Sequence, residues 1–306
     1  MSAARTKFLG RLDSFRHASE KPDLRNSSLA NNLENEASRY LRNGLQIMIF
    51  CSVEDFLRER IVELLAQPRF AGVRFQNLPS ELQRILMLDS TEAMINNLKY
   101  EQSISGDTIS SFVREIVIIS QSASENMPYS KFAFGRNKSN ISFDDIDNIL
   151  KAFNVSSPAT GISSISMRAG FTIAGGPKNN FTNLAKKRHS AAHDSQCAIE
   201  LTDLDESIKF GLAFGMSFDI LATVAVINLS SSQTIQTEGN RIKLRAVCER
   251  PDGKWGEHRL EGATRKKAAH VHLTEELATI AAQARLVSSE GLIIQGRSGL
   301  PIRWFI

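Results

Sequence analysis

Three cysteines are few for 306 residues, and Cys51, Cys197 and Cys248 lie far apart, form no CxxC pair and make an odd total. That pattern excludes a disulfide framework and a thiolate zinc site, and it points to a reducing, cytoplasmic setting. The opening stretch MSAARTKFLGRLDSFRH carries charges throughout and lacks the apolar core of a signal peptide. No internal repeat or low-complexity tract is present. Long apolar runs are scarce too. The one that matters is FGLAFGMSFDILATVAVINL, residues 210 to 229, twenty residues with a single charge. Asp219 sits at its middle, where a carboxylate costs about 2.5–3.5 kcal/mol to insert into a bilayer. Glycines and phenylalanines at near-helical spacing, with no basic cluster after them, fit a helix buried among helices, so no membrane partner is expected.

Charged residues are 23% of the chain, ordinary for a globular protein, with a net of only +4. Residues 236 to 306 hold twelve Lys and Arg against eight Asp and Glu, so the tail alone supplies the excess. The first 235 residues are neutral. A mildly basic tail suits an acidic partner such as nucleic acid.

The patterning that is present is mainly helical. Residues 5 to 18 form a short amphipathic segment, and residues 30 to 67 run without proline. In that run Leu41, Leu45, Met48, Ile49, Cys51, Phe56 and Ile61 recur at three- and four-residue steps, which predicts a long helix with a broad buried stripe ending at Pro68. A further helix is expected over 78–98, with Pro79 in its first turn. Residues 108 to 120 fit a helix or a buried strand, and the helical neighbours favour helix. Between 122 and 180 the chain turns rich in Ser, Asn and Gly, with one clear helix, SFDDIDNILKAFN, capped by Ser142. That segment reads as an insertion or an extended loop face. Residues 201 to 227 restart as a long apolar helix, with Thr202 at its start and Asp203, Asp205 and Glu206 loading its positive end.

Beyond the polar stretch 230–240 the period changes to two. RIKLRAVCER, the turn PDGK and WGEHRL form a hairpin; LTEELATIAAQARLV is a helix; GLIIQGRSGLPIRWFI is a second hairpin. The expected fold class is therefore mainly α, a helical bundle over 1–232 with an inserted segment at 122–180, followed by a small α+β domain over 236–306.

Histidine is the last scarcity, and it is informative. Of six histidines, two stand four apart in KKRHSAAHDS, residues 186 to 195. Metal-free RNA cleavage needs a base for the ribose 2′-hydroxyl, a cation on the phosphorane-like transition state and an acid for the leaving oxygen. Histidine suits the proton work, with an unperturbed pKa of about 6.5. Arginine suits the phosphate, because its planar fork stays charged and donates in pairs. Arg188 and His193 supply these types. Five helical residues put them roughly 140° apart, a gap that a long arginine can close at a helix end. Ala191 and Ala192 leave the approach open, and Lys186 and Lys187 offer further phosphate contacts. As a metal pair, His189 and His193 lack the glutamate of an HExxH motif and an evident third ligand. A thiol nucleophile at Cys197 is disfavoured, because a cysteine in an apolar setting is usually inert. The glycines of GFTIAGGPKNN lack the GK[ST] of a phosphate-binding loop, and the DDID carboxylates at 144–147 fall in a helix's first turn, where capping explains them. No cofactor and no metal is expected.

The segment R-H-S-A-A-H resembles the R-x(4–6)-H signature of the HEPN superfamily, and His189 fits the polar slot after the arginine. The layout, a long helix carrying FCSVEDFLRE, an insertion, the motif and then an apolar helix, is most similar to the RiboL-PSP and MAE-type branches over residues 5 to 230. The resemblance implies an all-helical bundle that dimerises and cuts RNA without metal, in toxin–antitoxin or anti-phage systems, possessing an antitoxin or defence partner. It implies Arg188 and His193 as the catalytic pair and His189 beside them. Glu54 would match an acidic residue of this branch, or it is a helix-surface carboxylate pairing Arg58 one turn on. A non-catalytic module binding RNA, nucleotide or a partner protein remains the alternative.

Overall fold

The structure, a computed structural model, describes residues 2–28, 30–66, 72–101, 108–121, 130–135, 140–231, 236–261, 264–265, 270–287 and 289–306. Helices α1 (Ala3–Ser19), α2 (Asn32–Leu65) and α3 (Ser80–Arg84) come first. A π-helical turn, Ile85–Asp89, leads into α4 (Ser90–Glu101), and α5 (Thr108–Gln121) follows. The bundle is completed by α6 (Phe143–Ala152), α7 (Pro158–Arg168), α8 (Gly176–His193) and α9 (Leu201–Ser230). The expectation at Pro68 lies outside the described residues.

Local signals set several of these ends. Ser142 caps α6 by accepting the Asp145 amide while Asp145 accepts the Ser142 amide, a reciprocal box that satisfies two orphan donors. The same device opens α9, but Glu200 is its cap, paired with Asp203, so the helix begins before Thr202. The buried side of α2 is Ile49, Phe50, Val53, Phe56, Leu57, Ile61 and Leu64; Leu41 and Met48 are instead 52% and 53% exposed. The broad stripe read from the sequence therefore spans two faces, one of which is open.

The stretch 122–180 departs from a loop face. Its described part holds α6 and also α7, whose Ile162 and Ile165 are fully buried in the main core beside Ile146, Ile149 and Phe153. Serine and glycine blur the apolar period of α7, and its Gly161 sits where another segment approaches closely. A Cβ on Gly239 would lie 2.3 Å from the Gly161 Cα, so the 236–242 segment crosses α7 backbone to backbone.

The tail forms β1 (Lys243–Glu249), β2 (Trp255–Glu261), β3 (Thr264–Arg265), β4 (His270–His272), α10 (Glu275–Ala284), β5 (Glu290–Gln295) and β6 (Pro301–Phe305). The spatial order is β3-β2-β1-β5-β6, with β4 also on β2. Both expected hairpins are present, and β1 pairs with β5 in parallel, joined by a crossover that carries α10. The sheet is a middle layer. Leu244, Ala246, Cys248, Ile293 and Trp304 join the core of the bundle, while Val247, Leu292 and Ile294 pack on Ala278 and Ala282 of α10.

The tail is thus not a separate core. Its boundary near 232 is a change of secondary structure, and the packing runs across it. At the centre of the seam stands Asp219, fully buried on α9. Its carboxylate accepts from Arg5 at 2.7 Å, Arg60 at 2.6 Å and the Trp304 indole at 2.7 Å, and from the Thr223 hydroxyl at 3.0 Å. Burial alone would raise the Asp219 pKa, but the two guanidiniums outweigh it and hold the carboxyl below its usual range. The single charge of the apolar run therefore ties α1, α2, α9 and β6 together. Helix α9 is long and apolar enough to cross a membrane, yet 89% of its most apolar window is buried inside the protein, as a core helix requires.

Candidate active site

Helix α8 carries the KKRHSAAH segment in its last two turns and packs along α2 and α7. Phe181 anchors its first half against Phe50 and Phe214, with ring centroids 5.9 and 5.2 Å apart. The helix stops at His193 because Asp194 leaves the helical conformation, its amide still reaching the Ser190 carbonyl and its carboxylate accepting the Gln196 amide. The chain that follows is strapped to α2. Asn43 donates to the Cys197 carbonyl and accepts the Ile199 amide, and Arg42 donates to the Ile199 carbonyl at 2.5 Å. These two buried polar residues hold the segment after α8 on α2. Their sequence signal is two adjacent hydrogen-bonding side chains inside an apolar helix, which periodicity alone passes over.

The two histidines come together. The His189 and His193 rings lie 4.7 Å apart on one exposed face, as an i,i+4 pair must. Arg188 takes another face. It is half-buried against α2, where its side chain hydrogen-bonds the Cys51 thiol and acts electrostatically on Glu54, and its Nε is buried without a hydrogen-bond partner. Burial pushes the Cys51 thiol up, Glu54 adds to that, and Arg188 pulls the other way. Cys51 was not singled out in the sequence, because a cysteine in an apolar stripe looks like core.

Glu54 is no helix-surface carboxylate. It is 4% exposed, accepts the Ile141 amide and meets Arg58 at 3.7 Å. Burial raises its pKa, opposed by the Ile141 amide, Arg58 and Arg188. Lys186 is exposed, as a phosphate contact needs, whereas the Lys187 ammonium is committed to Asp203 at 2.6 Å and lies 3.9 Å from Glu206. Burial disfavours the ionised Asp203, but the Lys187 and Glu200 hydrogen bonds prevail and lower its pKa. Lys187 therefore buttresses the α8–α9 corner. Burial, followed by Asp194, raises the Cys197 thiol pKa, which leaves little thiolate for nucleophilic attack. Among the described residues no three His, Cys, Asp or Glu side chains cluster as metal ligands.

Behind the long α2 and the motif helix laid along it lies the buried apolar α9, and the RiboL-PSP-HEPN family model matches residues 15–223 of this chain. The chain belongs to the RiboL-PSP-HEPN family. Membership points to RNA-related chemistry. No curated protein and no solved structure matches the chain.

Proposed function

We propose that the protein is a metal-independent endoribonuclease whose site is Arg188, His193 and His189. The observation that carries this is the end of α8: two imidazoles 4.7 Å apart on an open face, next in the chain to a guanidinium whose buried Nε has no partner in the protein. An unmet buried donor costs about 1–3 kcal/mol, so the side chain would gain by turning out of its place against α2 towards a phosphate oxygen. In the reaction, His193 removes the 2′-hydroxyl proton. The 2′-oxygen bonds to phosphorus, the bond to the 5′-oxygen breaks, and a second imidazole supplies that oxygen's proton. Arg188 binds the charge that accumulates on the phosphoryl oxygens.

Within one chain Arg188 and His193 leave α8 on different faces, which favours a composite site shared by two copies. It also gives the competing reading, a non-catalytic module for RNA, nucleotide or a partner protein, its one support. Purified protein incubated with RNA in EDTA separates them. We expect 2′,3′-cyclic phosphate ends, and Arg188→Ala and His193→Ala should each slow cleavage on the order of 10²–10⁴-fold with unchanged thermal melts. His189→Ala should be milder. Cleavage that needs Mg²⁺ and leaves 3′-hydroxyl ends, or full activity in His193→Ala, overturns the assignment. The proposal extends to a cytoplasmic setting in anti-phage defence or as a toxin, with an antitoxin or defence partner.

A further inference from the structure

The structure offers a second cationic feature far from α8. Where the end of α7 meets β1 and β2 there is an open groove of about 380 Å³. Arg168 forms part of its wall. Its guanidinium donates to the Ile242 and Gly239 carbonyls, both at 2.6 Å, and to the Ser164 carbonyl at 3.3 Å. Among the described residues no carboxylate lies within ion-pair distance of it, although the residue is only 8% exposed. Burial pulls its pKa below the usual arginine value. A buried charge without a counter-ion is costly, and neutral carbonyls satisfy its hydrogens without cancelling its charge.

The rest of the lining adds to that charge. Arg245 stands opposite Arg259 across the β1–β2 pair, and exposed Lys243 and Arg241 flank them. Of the two carboxylates present, Glu290 meets Arg245 at 3.0 Å, and Arg245 also meets Glu257 at 3.0 Å, so Arg245 is neutralised and the added charge rests on Arg259, Lys243 and Arg241. Arg241 reaches Glu238 outside the groove at 3.1 Å, but this pair is largely exposed and weak. Among the described residues, the lining contains no aromatic ring. A nucleobase would find nothing to stack on, whereas phosphates in succession would find cations from three segments of the chain.

We propose that this groove is a second RNA-binding site, which holds the sugar–phosphate backbone of the substrate without reading its bases. The proposal rests on RNA being the substrate. Asp203, which holds Lys187 beside the motif, and Ile220, which packs near Gly291 in the sheet, are roughly 25 Å apart along α9 at 1.5 Å per residue. The groove therefore engages a part of the strand remote from the cut. It supplies grip and register, and the chemistry stays at α8.

The test uses the full chain carrying Lys243→Ser, Arg259→Gln and Arg241→Gln, three exposed positions whose loss leaves the core intact. A control triple, Lys21→Ser, Arg25→Gln and Lys99→Ser, removes equal charge elsewhere. Binding of a fluorescent 20-nucleotide single-stranded RNA is followed by anisotropy against salt, with His193→Ala added throughout. We expect the groove variant to bind about tenfold more weakly, with a salt slope smaller by about 2, since each single-strand phosphate contact contributes about 0.7. With His193 restored, KM for long RNA should rise while kcat and dinucleotide cleavage hold. Equal losses in both triples, or an unchanged slope, overturn the proposal. So does a loss seen only with a polyglutamate peptide, which would make the groove a protein site. So too does inorganic phosphate displacing RNA at micromolar concentration, which would make it a small-anion site. Because binding is read without cleavage, failure of the nuclease assignment would show separately, as an uncut RNA that the groove still holds.

Discussion

At the residue scale, the side chains of α2 behind the site are groups whose burial opposes their charge, and Glu54 shows the consequence most directly. Its carboxylate lies buried beside Arg58 and Arg188, and burial raises its pKa. A group whose folded pKa is raised contributes most below the ordinary carboxylate pKa of about 4.3 and loses that contribution as pH rises through the folded value. Glu54→Gln keeps an oxygen to accept the Ile141 amide and never ionises. Thermal melts should therefore show wild type losing ground to Glu54→Gln between pH 4 and pH 7. If Glu54 also orients Arg188, the same variant should cut RNA several-fold more slowly, with kcat rather than KM affected. A variant with normal kcat would leave Glu54 the structural role of holding Ile141.

At the element scale, the seam between bundle and sheet governs stability. Asp219 is the hub, and Asp219→Ala would leave Arg5 and Arg60 facing each other in the core, at a cost of about 3–5 kcal/mol. The Asp219 pKa is lowered, so its contribution is present above the unfolded carboxylate value and is lost as pH falls through the folded one; denaturant midpoints should drop below about pH 4. Ending the chain at Gln233 removes Trp304 and uncovers the apolar side of α9. That truncation should abolish the cooperative thermal transition, where a free-standing tail would have left it intact. The sequence showed the long helices, both hairpins and the motif because each is written in a local period, and it missed α7, whose serines and glycine blur that period. It did not show that the tail completes the core, since Asp219, Arg5 and Trp304 meet from positions more than 80 residues apart. For the same reason Arg188 and His193 were legible, but the Cys51 thiol and the Arg42–Asn43 strap were not.

At the scale of the whole molecule, the open face of α2 bears on assembly. Leu41 and Met48 lie seven residues apart on one side of the helix, Met48 is one turn before Cys51, and Cys51 touches Arg188. Tyr40 beside them is 54% exposed. An apolar stripe next to a site that supplies one base and one cation per chain is what a two-fold contact needs, because the symmetric copy brings the missing acid and covers the stripe. Leu41→Glu with Met48→Glu should therefore give a monomer by light scattering at micromolar concentration, with a melting temperature close to wild type because both side chains are already exposed. RNA cleavage by that monomer should fall on the order of 10²-fold or more, as loss of a positioned acid predicts. Mixing Arg188→Ala with His193→Ala protein tests the same geometry from the other side. If each cut draws its guanidinium and its base from different chains, the mixture should recover activity that neither variant has alone. A double glutamate variant that remains dimeric would put the interface elsewhere, and a monomer that cuts RNA at the wild-type rate would mean that one chain holds the complete site.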